Sequence, residues 1–182
     1  MRTVLIIGIV MVVSLVLYAC KAGQPQPPQE QTQEQLEPVA APGFAENPNK
    51  DAVITLVNNA VAEVAAKGAE AFDEFRQKDS PWFQGDRYVF VWGIDGMRYC
   101  YPPDVSGEGK NMADLCDPAG RPIGRQFIST AQCSSGEGWV HYQWPKPDGT
   151  EAEWKSAYIR KAVGPDGTEY LVGSGLYKGD AN

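Results

Sequence analysis

Apolar side chains recur along the chain at two spacings, and the two spacings divide it into strands and helices. The plainest strand is residues 136–145, where Gly136 and Gly138 set a tight turn, β-branched and aromatic residues follow, and Pro145 stops the run. Alternation puts Val140, Tyr142 and Trp144 on one face and Trp139, His141 and Gln143 on the other. Residues 88–92 and 170–177 share this character, and further runs at 98–101 and 154–163 complete an antiparallel sheet of about five strands.

Helical spacing appears twice. Asn49 or Asp51 can cap a long helix in which Val53, Leu56, Val57, Ala60 and Val64 form a stripe that should lie on the sheet. Gly68 interrupts it, residues 69–77 make a short second helical piece burying Phe72 and Phe75, and Pro81 ends the helical region. Trp82 and Phe83 suit a pocket wall or plain core about equally. A second helix is expected over 122–133, with Ile123, Phe127, Ile128 and Ala131 on one side. Asp95-Gly96 is a hairpin turn. Residues 102–121 are turn-rich and long for a connection in a compact domain, so they read as a lid. The fold class is α+β.

The first 20 residues differ from the rest. Arg2 precedes an apolar run over 4–17, and Leu17-Tyr18-Ala19-Cys20 resembles a bacterial lipobox, with Cys20 as the lipidated residue; the alternative is an uncleaved membrane anchor. Both readings put the remainder outside the cytoplasm, on the periplasmic side. Residues 21–48 are rich in Gln, Pro and Glu with little to bury, which predicts a disordered tether. One folded domain over 49–178 remains.

Charge and chemistry narrow the function. With 16 basic and 23 acidic residues the net charge is −7, which argues against a nucleic-acid partner. His141 is the only histidine, and alternation turns it away from Tyr142, toward solvent. No Cys-x-x-Cys, His-Glu-x-x-His, Walker or Gly-x-Ser-x-Gly pattern is present, so no metal or cofactor is expected. No nucleophile stands beside a base, and an enzyme is not expected. No disulfide is assigned among Cys100, Cys116 and Cys133.

The order of pieces resembles a single Cache domain of the second type, an extracytoplasmic sensor domain with a PAS-like sheet. The resemblance rests on Ala71-Phe72 through Phe75, residues 88–91, Asp95-Gly96, Gly109-Lys110-Asn111, Leu115 with Asp117 and Gly120, residues 138–145, Lys155 with Tyr158, and residues 173–177. It covers about residues 51–177. Where the family commonly shows His-Pro after the hairpin, this chain has Tyr101-Pro102. The resemblance implies binding of a short organic acid and signalling through a separate partner, a sensor kinase or chemoreceptor, since no output module follows the last strand. It points to Arg125 and Lys155 as cations for the acid, with Tyr158, Tyr142, Trp144 and Tyr101 around them. The alternative is an envelope accessory lipoprotein that docks on a partner and holds no small molecule.

Overall fold

The long helical stripe and the alternating strands assemble into an antiparallel five-stranded sheet with a hydrophobic core on each face. The computed structural model describes residues 41–45 and 47–180. The expected signal peptide, Cys20 and residues 21–40 of the tether lie outside the described residues. Among the described residues no helix is long and apolar enough to cross a membrane.

Helix α1 (Lys50–Lys67) buries Val53, Val57, Ala60 and Val64, the spacing that keeps one stripe on the sheet. Each buried valine contributes roughly 1.5–3 kcal/mol of gross transfer energy. Gly68 ends the helix with a positive φ of 60°, and a 3₁₀ turn leads to α2 (Ala71–Phe75), which buries Phe72 and Phe75. The strand expected over 88–92 is divided. Strands β1 (Phe83–Gln84) and β2 (Arg87–Tyr88) form a small hairpin of their own, the Val89 amide donates to the Trp82 carbonyl, and β3 (Phe90–Gly93) enters the main sheet.

Then come β4 (Arg98–Cys100), α3 (Ile123–Gln132), β5 (Glu137–Pro145), β6 (Ala152–Val163) and β7 (Glu169–Tyr177). The sheet order is β4-β3-β7-β6-β5, with every neighbouring pair antiparallel. Helices α1 and α2 cover one face, over Val91, Tyr158 and Val172. Helix α3 and the connection before it cover the other, over Phe90, Tyr142 and Ile159. Central strand β7 is therefore buried from Tyr170 to Tyr177. Val140, Tyr142 and Trp144 share the α3 side and Trp139 the α1 side, as alternation requires.

Two expectations are corrected on the α1 side. His141 lies there but is half-buried: its ring centroid is 4.5 Å from that of Phe44, and its Nδ1 is 2.8 Å from Ser156 Oγ. The described residues before position 49 are packed on the sheet. Phe44 meets Trp139 edge-on at 4.7 Å and Asn47 is buried. Phe44 and the buried Ala41 supply the apolar contact that offsets local ordering. Asn49 Nδ2 donates to the Asp180 carbonyl at 2.5 Å, so the first and last turns of the folded part meet.

The connection from β4 to α3 is an ordered layer. It is laced to the β3–β4 hairpin by Arg98 N to Lys110 O (2.9 Å), Gly109 N to Arg98 O (2.8 Å) and Met112 N to Gly96 O (2.8 Å). Farther along, the buried Asp117 carboxylate accepts from the amides of Ala119, Arg121 and Gln143, each at 2.9 Å, and from Arg121 Nε at 2.7 Å. Burial pushes this carboxyl up, but the hydrogen bonds outweigh burial and hold it below the usual range. In the first turn of α3, a Cβ on Gly124 would overlap the carbonyls of Met112 and Ala113. Gly124→Ala is thus expected to force the layer off the helix and to cost about 2 kcal/mol, read as a lower urea midpoint with an unchanged slope.

Candidate functional site

On the α3 side the core leaves a partly open cavity of about 20 Å³, a little more than the roughly 10–15 Å³ that one water needs. Its apolar wall comes from Phe90 and Trp92 on β3, Phe127 and Ile123 on α3, and Leu115 from the connecting layer. Its polar wall comes from Tyr88, Arg98, Tyr101, Tyr142 and Trp144.

The polar wall is a chain of donors. Lys155 Nζ donates to Tyr88 Oη at 2.8 Å, Tyr88 Oη to Tyr101 Oη at 3.5 Å, and Trp144 Nε1 to Tyr101 Oη at 2.8 Å. Tyr101 Oη thus accepts twice, and its own O–H has no acceptor among the described residues. Burial pushes the phenols of Tyr88 and Tyr142 well up, so both stay neutral.

Arg98 is 6% exposed and Lys155 1%, and among the described residues neither has a carboxylate within ion-pair distance. Cζ of Arg98 stands 4.5 Å from the Tyr101 ring centroid, and its Nε has no hydrogen-bond partner. The acids nearest to it are engaged elsewhere: Glu108 takes Arg76 Nη2 at 2.8 Å and the Tyr101 amide at 2.7 Å, and Asp104 takes Ser106 Oγ at 2.6 Å. A side chain at Gly107 would meet Arg98 Nη1 at 2.7 Å, so the loop glycine leaves room for the guanidinium. Desolvation lowers the pKa of Arg98. Lys155 Nζ lies 4.0 Å from the Tyr88 ring centroid and 4.8 Å from that of Tyr177, and desolvation lowers its pKa to about 7, against a weak opposing pull from Asp180 and Asp86.

Of the residues singled out from the sequence, Tyr101, Tyr142 and Trp144 line the cavity, and Lys155 stands directly behind Tyr88. Tyr158 is separated from them. Three residues on from Lys155, it points to the opposite face of β6 and packs on Trp139 with ring centroids 5.3 Å apart. Arg125 is also elsewhere: α3 turns Ile123 and Phe127 inward, which sends Arg125 out, its side chain 71% exposed and paired with Asp114 at 2.8 Å. Trp82 and Phe83 are packing residues, against Phe75 and Tyr88 respectively.

Arg98 and Tyr88 were missed. Between the pairs Val91–Cys100 and Trp92–Arg98 the register shifts, so Tyr99 is an extra residue in β4. Simple alternation puts Arg98 and Cys100 on one face. The bulge instead sends Arg98 to the cavity with Trp92, and Cys100 to the α1 core with Val91. Among the described residues no three His, Cys, Asp or Glu side chains are placed to hold a metal ion.

Comparison with known proteins agrees with this architecture. Residues 45–182 match the family described as Single Cache domain 2. The sensor histidine kinase MctS of Rhizobium johnstonii is 33% identical over 95 residues, 52% of this chain and 20% of the kinase. The methyl-accepting chemotaxis protein McpP of Pseudomonas putida is 26% identical over 98 residues, 54% of this chain and 17% of the receptor. The chain therefore spans about a fifth of the length of these relatives. Among solved structures, a periplasmic sensor domain of a chemotaxis protein superposes with a TM-score of 0.58 at 27% identity, covering 76% of this chain and 99% of that one. A Cache chemosensory domain, described for its carboxylic acid recognition, superposes at 0.60 with 19% identity over 76% and 99%.

Two buried cations without anions weaken the empty fold. Between pH 7 and the ordinary lysine range near ~10.4 the unfolded chain holds a proton that the native Lys155 lacks, so stability rises with pH across that window. Lys155→Met is expected to stabilise the unliganded protein at pH 7 by about 1–2 kcal/mol and to flatten that rise. Urea unfolding of both proteins at pH 7 and 9.5 checks it.

Proposed function

The chain belongs to the single Cache domain 2 family, and from that membership we propose that it is an extracytoplasmic receptor for a short organic carboxylate. In this reading the chain is held to a membrane through lipid on Cys20, and it reports occupancy to a separate signalling protein of the kinase or chemoreceptor kind. Kinship with the sensing parts of a histidine kinase and a chemotaxis receptor supports the signalling role. Likeness to a periplasmic sensor domain supports the location.

The observation that carries the ligand class is the imbalance of the polar wall. Arg98 and the Tyr101 O–H bring unpaired donors and positive charge to one small volume, Lys155 adds charge from behind Tyr88, and the acceptors among these groups are phenolic oxygens already engaged by Lys155 and Trp144. A carboxylate is the missing complement: it carries one negative charge, accepts several hydrogen bonds and suits the planar fork of a guanidinium. The apolar wall of Phe90, Ile123 and Phe127 would take a short alkyl end. At about 20 Å³ the cavity requires the layer that contributes Leu115 to withdraw as the ligand enters. The same small volume favours the rival reading, an accessory envelope protein with a filled interior.

A thermal-shift screen of short carboxylic acids separates the two. At a hundredfold excess over Kd a native-state ligand adds about 2.7 kcal/mol of apparent stability. Under the receptor reading one acid family raises Tm. Arg98→Gln then weakens its binding by roughly 30- to 100-fold, the loss of a charged hydrogen-bond pair, while Arg125→Ala leaves it unchanged. No shift with any acid sinks the receptor reading, and equal losses for Arg98→Gln and Arg125→Ala sink the assignment of the site.

A further inference from the structure

We propose, resting on the carboxylate reading, that anion capture by this cavity is coupled to uptake of one proton at the Lys155 amine. The amine is wholly buried and its described partners are aromatic: the Tyr88 phenol that it touches at 2.8 Å and the rings of Tyr88 and Tyr177, whose centroids lie 4.0 and 4.8 Å away. Every group facing it from the surrounding elements is neutral or cationic. These are Tyr88 from β2, Tyr142 and Tyr177 opposite it on the flanking strands, and Tyr101 and Arg98 beyond Tyr88. Asp86 and Asp180 act on it only at a distance. His141 lies on the other face of the sheet.

An empty site in that setting favours the uncharged amine, since desolvation has no nearby anion to oppose it. A carboxylate seated against Tyr88, Tyr101 and Arg98 changes the balance. One hydrogen-bonded phenol then separates it from Nζ, about 5 Å in all, and at an effective dielectric of ~20 that charge raises the lysine's proton affinity by roughly two orders of magnitude. The proton comes from bulk solvent and joins the Nζ lone pair, and the carboxylate stays ionised. No covalent bond changes.

The sign follows from linkage. Below about pH 7 the amine is charged in both free and bound protein, and affinity is flat with pH. Above it, each pH unit removes the proton from more of the free protein, and Kd rises toward tenfold per unit until the bound amine titrates as well. Arg98 stays cationic throughout this range and the Tyr88 and Tyr142 phenols stay neutral. A receptor built this way reads the acid and the proton together and responds most strongly on the acidic side.

The test is calorimetry of the full-length chain with acetate and with propionate, at pH 6 and pH 8.5, in phosphate and in Tris. The expected result is a buffer-independent heat at pH 6, uptake of close to one proton per bound acid at pH 8.5, and at least a tenfold weaker Kd there. Lys155→Met should bind more weakly at pH 6 and show neither proton uptake nor the alkaline loss. Binding with equal affinity and no proton uptake at both pH values overturns the coupling and leaves the carboxylate reading standing. Uptake that persists in Lys155→Met overturns the assignment to Lys155. Absence of binding at both pH values overturns the carboxylate reading and this inference with it.

Discussion

The buried Asp117 carboxylate joins the three parts of the structure that surround the cavity. Its four hydrogen bonds reach forward to Ala119 and Arg121 and across to the backbone of Gln143 on β5. Without such acceptors, the Gln143 amide on the outer edge of β5 and the Arg121 guanidinium would be left partnerless, at about 1–3 kcal/mol each. Arg121 also lies over the Trp154 ring at 4.5 Å, which extends the same anchor to β6. Because Asp117 fixes where the connecting layer meets the sheet, it also fixes where α3 begins, and therefore where Ile123 and Phe127 close the cavity.

A sheet with a core on each face puts its two sides to different uses. On the α1 side an aliphatic stripe, with Val53, Val57, Val64, Val89 and Val172 wholly buried, packs together with Phe72, Phe75, Tyr158 and Tyr170. On the α3 side aromatic rings line the cavity, and two buried cationic side chains have no carboxylate partner among the described residues. Glycines on β7 make this possible. A Cβ on Gly173 would strike the Phe90 ring, and one on Gly175 would meet Lys155 Cε at 2.9 Å, so both leave room on the cavity side.

Much of the scaffold was legible in the sequence because periodicity and turn glycines are local. The α1 stripe, the Asp95-Gly96 hairpin, the faces of β5 and the five-stranded sheet all follow from spacing. The site was only half legible. Tyr142, Trp144 and Tyr101, to which the resemblance points, line the cavity, and Lys155 stands behind it. Tyr158 was grouped with Lys155 although an odd separation on one strand puts the two on opposite faces. Arg125 came from the resemblance, while its own helix stripe already turned it outward. Arg98 was hidden by the extra residue at Tyr99, which reverses the alternation that would identify it. Bulges depend on a partner strand, and a partner strand is not local information.

The hydrogen bond from Asn49 to the Asp180 carbonyl has a topological consequence. A folded body whose two ends meet is, in effect, a closed loop of chain. It can be spliced into the middle of another polypeptide at a single point without holding the flanking segments apart. The domain is therefore a portable cassette.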